Sequence, residues 1–226
     1  ADYNQIELRC IAHLSGDPSL IAAFEAGDDI HRSVASRTWG VPTSEVTTEL
    51  RNRAKMVAYG LAYGMEAYGL AQRLDVPTDE ASGILEAYFE AFPGVRDYMD
   101  RSVDEARQRG YTETLFGRRR PIPELASNNF NVRQAGERQA MNAPIQGLAA
   151  DIFKVALVGI DHGLSAAGLA SRLVLQVHDE VLLEVEPTEL DQATELVRVT
   201  MGGAFDLRVE LAVDLATGST WADAKG

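Results

Sequence analysis

The sequence predicts an α+β fold: a mostly helical lobe inserted in a small antiparallel β lobe. Three observations predict it. Residues 6–164 carry apolar side chains mainly at helical spacing, punctuated by Gly and Pro. Residues 173–185 hold two Val- and Leu-rich runs, short enough for strands, on either side of His178, Asp179 and Glu180. Residues 207–215 alternate apolar and polar with period two. Since the strands lie near the two ends and must share one sheet, the helical middle reads as an insertion.

In order, a helix from Ile6 stops at the Ser15-Gly16-Asp17-Pro18 sequence, and a short one over 19–25 stops at Gly27. The next runs over about 29–39 to Gly40 and Pro42, and Thr43 or Ser44 is expected to cap its successor. Residues 49–63 and 66–75 follow as helices. Thr78 caps another, interrupted at Pro93-Gly94, and 95–109 continues to Gly110. Residues 110–117 read as a small strand or hairpin before Arg118-Arg119-Arg120. That arginine run is either a solvated loop or a phosphate contact. Residues 128–142 are helical, Pro144 is expected to break the helix, and 145–164 resumes it. Thr188 caps a last helix ending at Gly202-Gly203.

The 226 residues are 46% hydrophobic and 24% charged, enough for a core in one or two domains. No uninterrupted apolar run approaches the ~20 residues of a membrane span. The polar opening, Ala1-Asp2-Tyr3-Asn4-Gln5, has no signal-peptide pattern, and its abruptness reads as a piece cut from something longer. One cysteine, Cys10, excludes an internal disulfide framework and a multi-Cys zinc site and suits a reducing, cytoplasmic setting. The net charge of −13 argues against a polyanion partner, but it is uneven. Residues 101–120 carry six basic and three acidic side chains, whereas 187–226 carry three and seven.

Two stretches carry chemistry. Arg51, Lys55, Tyr59 and Tyr63 recur every four residues and wind slowly along one helix face for about 18 Å. Cations at one end and rings at the other match a nucleoside triphosphate, although a surface helix with snorkelling cations gives the same pattern. His178, Asp179 and Glu180 sit at a hairpin tip, which suits a divalent cation or is simply a polar turn. Asp2, at the end of another strand, adds a carboxylate from a second strand. Two carboxylates from different strands can hold two Mg²⁺ ions ~3.5–4 Å apart, the arrangement of metal-assisted nucleotidyl transfer. Arg138, Asn142 and Gln146, again spaced by four, suit either nucleic-acid contacts or the solvated face of a kinked helix.

Three runs carry a resemblance. Residues 2–9, Asp-Tyr-Asn-Gln-Ile-Glu-Leu-Arg, resemble motif A of the family A DNA polymerases. Arg51, Lys55, Tyr59-Gly60 and Tyr63-Gly64 resemble motif B, and Val177-His178-Asp179-Glu180 resembles motif C. Gly117-Arg118-Arg119-Arg120 and residues 142–147 are also similar, so the resemblance covers essentially the whole chain. It implies template-directed DNA synthesis from dNTPs on primer-template DNA, with two Mg²⁺ ions, by a cytoplasmic, bacterial or phage-encoded enzyme expected to be monomeric and membrane-free. Asp2, Asp179 and the Tyr3 carbonyl would hold metal, with Glu180 an accessory carboxylate at the primer end. Arg51 and Lys55 would bind the triphosphate, and Lys55 would protonate the leaving pyrophosphate. Gln5 and His31 would flank the nucleotide, Tyr59 would stack on it, and Glu7 would exclude a 2′-OH. Tyr63 would hold the templating position, while Arg138, Asn142, Gln146 and His178 track primer and template.

The resemblance implies palm at 1–16 and 166–226 and fingers at 17–165, with the thumb and N-terminal palm strands missing, so the fragment would work poorly alone. Asn4 stands where Ser is common. Tyr59 stands where many members carry Phe, which goes with ready acceptance of dideoxynucleotides. A single-subunit RNA polymerase shares a similar motif B but must admit the 2′-OH that Glu7 would block. A degenerate binding module would be expected to lack one of Asp2, Asp179, Arg51 or Lys55, and all four are present.

Overall fold

A computed structural model describes residues 1–27 and 29–225 and bears out the α+β class. Two compact units divide the chain, one of residues 1–6 with 149–226 and one of residues 7–148. The lobe boundaries expected from the sequence lie at 16/17 and 165/166.

The first unit holds a four-stranded antiparallel sheet, in the order β4 (Arg172–Val177), β5 (Glu180–Glu184), β1 (Asp2–Tyr3), β6 (Val213–Asp214). The strand expected over 207–215 is reduced to β6. Its ladder partner is β1, which offers two residues, so the ladder does not extend over 207–211. The alternation still governs burial: Leu207, Val209 and Leu211 are buried in irregular backbone. A bulge at Val174 shifts the β4–β5 register. Behind the sheet, α9 (Leu190–Gly202) packs on the C-terminal half of α8 (Phe130–Ala166). A Cβ on Gly159 would lie 2.7 Å from Thr200 Cγ2, so that approach requires glycine. Tyr3 is fixed by its hydroxyl, which donates to the Met201 carbonyl (2.8 Å), and by edge contact with Phe153.

The second unit is helical: α1 (Ile6–Ser15), α2 (Pro18–Glu25), α3 (Ile30–Trp39), α4 (Thr48–Ala62), α5 (Ala67–Leu74), α6 (Thr78–Ala91) and α7 (Pro93–Arg109), then the hairpin β2 (Tyr111–Glu113) and β3 (Arg119–Pro121). Buried Asp17 joins two helix starts, accepting from Leu20 N–H (2.9 Å) and Gly94 N–H (2.9 Å). Here the arginine run meets ordered partners: Arg119 and Arg120 lie on β3, Arg119 pairs with Glu113, and Arg118 donates to the Gly147 carbonyl.

Several expected boundaries move. Thr47, rather than Thr43 or Ser44, caps α4, because a 3₁₀ turn over Thr43–Glu45 intervenes. Pro77 precedes α6, so Thr78 is its first helical residue. Glu189 precedes α9, with Thr188 inside a 3₁₀ turn. Pro144 does not break α8, which runs continuously through it. Proline removes one i→i−4 hydrogen bond, and the flanking Ala140, Ala143, Ile145 and Leu148, all buried, supply packing that outweighs it. An 18-residue window of α8 is long and apolar enough to cross a membrane, but 56% of that window is buried, the pattern of a core helix.

Candidate active site

In the first unit, β4 and β5 are joined by the two residues His178 and Asp179. His178 has φ 56°, a left-handed conformation uncommon outside glycine, and Gln5, just after β1, has φ 58°. His178 thus has the positive φ that a two-residue hairpin loop needs, and Gln5 has that of the turn after β1. The pairing register sets Asp2 opposite Glu180 on one side and opposite Asp214 on the other. Directly opposed residues share a sheet face, so three carboxylates form one row, while Tyr3 and Val181 alternate into the core.

Neighbours engage the two outer members of this row. The Trp221 indole N–H donates to Glu180 Oε1 (2.8 Å), and Asn4 Nδ2 donates to Asp214 Oδ2 (2.8 Å). Both of these donors are neutral, and the Ala1 ammonium also acts on Glu180 and Asp2. Among the described residues no hydrogen bond or ion pair engages the Asp179 carboxylate, and no three His, Cys, Asp or Glu side chains converge as a complete metal cage. Opposed like charges favour a cation, and hard carboxylate oxygens suit Mg²⁺.

The second unit presents the stripe as its spacing requires, with one refinement. Arg51, Lys55 and Tyr59 lie on α4, but Tyr63 is its C-cap. The helix closes in a Schellman motif: Met65 N–H donates to the Gly60 carbonyl (2.8 Å) and Gly64 N–H to that of Leu61 (2.9 Å), with Gly64 at φ 68°. That turn exposes Tyr63, whose hydroxyl donates to Glu7 Oε1 (3.1 Å). It also seats Gly64 against Asn142, whose Oδ1 is buried without a partner among the described residues. Arg138 pairs with Glu66 (3.3 Å), and Gln146 is half-buried on the same helix.

At the other end of the stripe, α3 brings His31 beside α4. Its ring lies 5.8 Å from that of Tyr59, and Lys55 Nζ lies 6.0 Å from the Tyr59 ring. Burial, with a smaller push from Arg51 and Lys55, lowers the His31 pKa to about 4 against the pull of Asp29, so the imidazole is neutral at pH 7. Lys55 is exposed and has no carboxylate partner among the described residues. Arg51 pairs through Nε with Asp29.

Sequence reasoning missed Asp29 and Trp221. Asp29 had a local signal, a capping residue two before His31. Trp221 had none, since its partner lies 41 residues away.

A family model described as DNA polymerase family A matches residues 1–223. The chain is 56% identical over 221 residues to DNA polymerase I of Mycobacterium tuberculosis, covering 98% of this chain and 24% of that protein. It is 49% identical over 226 residues to DNA polymerase I of Lactococcus lactis subsp. lactis, covering 100% and 26%. The chain therefore spans about a quarter of the length of these relatives. Among solved structures it is similar to the POL domain of Pol1 from M. smegmatis in complex with DNA primer-template and dNTP. The TM-score is 0.95 at 54% identity, over all of this chain and 40% of that one.

Proposed function

The chain belongs to DNA polymerase family A, and from that membership we propose that it carries the nucleotide-binding and metal-binding residues of a template-directed DNA polymerase. The reaction is transfer of a nucleotidyl group from a dNTP to a primer 3′-OH. The observation that carries this reading is the α4 stripe, with an exposed Lys55 that no carboxylate neutralises and an Arg51 whose two Nη groups are unengaged among the described residues.

Arg51 and Lys55 bind the triphosphate, whose oxygens accept from ammonium and guanidinium in charge-assisted hydrogen bonds. Lys55 also donates the proton taken up by the departing pyrophosphate. Tyr59 stacks on base and sugar, and neutral His31 supports its ring without adding charge. Glu7, tethered by the Tyr63 hydroxyl, occupies the space of a 2′-OH and selects deoxyribose. Gln5 flanks the nucleotide. Tyr63 holds the templating position, and Arg138, Asn142, Gln146 and His178 contact primer and template. Asp2, Asp179 and the Tyr3 carbonyl would hold Mg²⁺, with Glu180 beside the primer terminus. Bound there, Mg²⁺ would supply acidification of the 3′-OH and charge stabilisation at the phosphoryl oxygens.

In this reading residues 1–16 and 166–226 belong to the palm and 17–165 to the fingers. The enzyme works as a cytoplasmic, bacterial or phage-encoded monomer on primer-template DNA, without a membrane. Residues 1–226 by themselves extend primers poorly, as their share of the relatives' length suggests. The test is Asp179→Asn in the complete polypeptide that carries residues 1–226. Loss of primer extension by at least 100-fold, the order expected for removing transition-state electrostatics, with an unchanged Tm supports the reading. Undiminished extension overturns it.

A further inference from the structure

We propose that Asp29 is a positioning residue for the triphosphate site, its carboxylate shared between the start of α3 and the guanidinium of Arg51. The proposal rests on reading Arg51 as a triphosphate ligand. Asp29 Oδ1 accepts from the backbone N–H groups of His31 (3.0 Å) and Arg32 (3.3 Å). Asp29 Oδ2 accepts from Arg51 Nε. One carboxylate therefore ties the helix that carries His31 to the helix that carries Arg51, Lys55 and Tyr59.

The choice of donor matters. A guanidinium offers five N–H groups in a rigid fork. With Nε committed to Asp29, the plane of the fork is fixed, and both Nη groups, unengaged among the described residues, remain for phosphate oxygens. Such an arginine loses less rotamer freedom when the ligand arrives, which is how preorganisation raises affinity.

Capping α3 accounts for Asp29 Oδ1, but a structural role explains little of the Oδ2 contact with Arg51. Arg51 and Asp29 side chains are each 32% exposed, and ion pairs that exposed contribute little to stability. Burial pulls the Asp29 carboxyl up, but the Arg51 hydrogen bond, the two helix N–H groups and the Arg51 charge outweigh it and hold it below the usual carboxylate range. The group is anionic at every pH at which a polymerase would be assayed.

An anion beside a triphosphate site also permits the opposite expectation. If Asp29 merely repelled the phosphates, neutralising it would tighten dNTP binding. If it positions Arg51, neutralising it loosens binding. The sign of the change decides.

The variant is Asp29→Asn in the complete polypeptide that carries residues 1–226. Asparagine caps a helix as well as aspartate, so α3 keeps its start while the charge facing Arg51 is lost. Steady-state single-nucleotide incorporation gives KM for the dNTP and kcat separately, and thermal unfolding gives Tm. The expected result is a KM raised roughly tenfold, the low end for a hydrogen bond to a charged group, with kcat within about twofold and Tm unchanged. Asp29→Ser, which also caps but lacks the anion, should behave alike and replaces Asn should that variant not fold. An unchanged or lowered KM, or a loss confined to kcat, overturns the proposal. Arg51→Ala separates the two levels. If it raises KM while Asp29→Asn does not, only the positioning role fails. If Arg51→Ala leaves KM unchanged, the reading of Arg51 as a triphosphate ligand fails, and the proposal with it.

Discussion

The indole N–H of Trp221 donates to Glu180 Oε1 across 2.8 Å, and Glu180 pairs in register with Asp2. The last short helix, α10 (Trp221–Lys225), thus reaches the row of carboxylates on the sheet. Thr220 starts that helix by accepting from Asp223 N–H, and Ser219 donates to the Asp223 carboxylate. The indole restrains the Glu180 rotamer through Oε1 without neutralising the carboxylate. Trp221→Phe keeps a ring and removes the donor. We expect the Mg²⁺ concentration for half-maximal primer extension to rise a few-fold, since a hydrogen bond to a charged group contributes about 1.5–3 kcal/mol and this one is partly exposed. Magnesium titrations of wild type and variant, with Tm as the control for folding, measure it. An unchanged magnesium dependence would show that Glu180 needs no such anchor.

Gly64 is fixed by two independent demands. Its φ of 68° suits glycine, and a Cβ there would lie 2.3 Å from Asn142 Nδ2 and 3.0 Å from its Cγ. A left-handed conformation costs a non-glycine residue about 1–2 kcal/mol, and the clash adds to it by displacing a side chain whose Oδ1 is already unpartnered among the described residues. Gly64→Ala should lower stability by roughly 2–5 kcal/mol, the sum of strain and overpacking, measured by denaturant unfolding. Gly27 is the control: at φ 68° and with nothing among the described residues within 4 Å of where a Cβ would stand, its alanine variant should show the conformational cost alone.

These residues mark how far the sequence could be read. The α4 stripe was legible because spacing of four on one helix is local information. The Schellman turn was partly legible from Tyr63-Gly64, but the role of Gly64 against Asn142 depends on a contact 78 residues away. The hairpin tip was legible from composition, whereas the row Glu180, Asp2, Asp214 needed the strand register, which joins opposite ends of the chain. Pro144 misled because local propensity is weaker than the packing of a long buried helix. The strand over 207–215 misled because alternation reports burial, and a ladder also needs a partner of matching length. Asp29 and Trp221 act through partners 22 and 41 residues away.

His31 gives stability a dependence on pH. Its folded pKa of about 4 lies below the ordinary 6.5, so the unfolded chain binds the proton more readily. The neutral ring's contribution is fully present above pH 6.5 and is lost as pH falls through the folded value near 4. The loss is on the order of 2–3 kcal/mol for a shift of this size. Wild-type stability should therefore fall between about pH 6.5 and 5, where ordinary carboxylates are still ionised. His31→Gln, which has no titrating group, should flatten that part of the curve. Denaturant midpoints across this range check it, and equal slopes would mean that the ring is protonated in the folded state.

In the proposed reading, Tyr59 connects this pocket to substrate choice. Its ring is held on two sides, by His31 at 5.8 Å and by the Lys55 ammonium at 6.0 Å. Tyr59→Phe therefore leaves the ring in place and removes one hydroxyl. A dideoxynucleotide lacks the 3′-OH and with it a hydrogen bond, and a phenolic hydroxyl at this position can supply a replacement. With Tyr59 present, discrimination between dNTP and ddNTP should be weak. With Phe, it should grow by roughly one to three powers of ten, the range of a lost hydrogen bond in a desolvated site. The change should appear in ddNTP incorporation alone, because the deoxynucleotide keeps its own 3′-OH. Competition between the two substrates in primer extension measures the ratio directly. Strong rejection of ddNTP by the wild type, or an equal loss of both substrates in the variant, would place the hydroxyl away from the sugar.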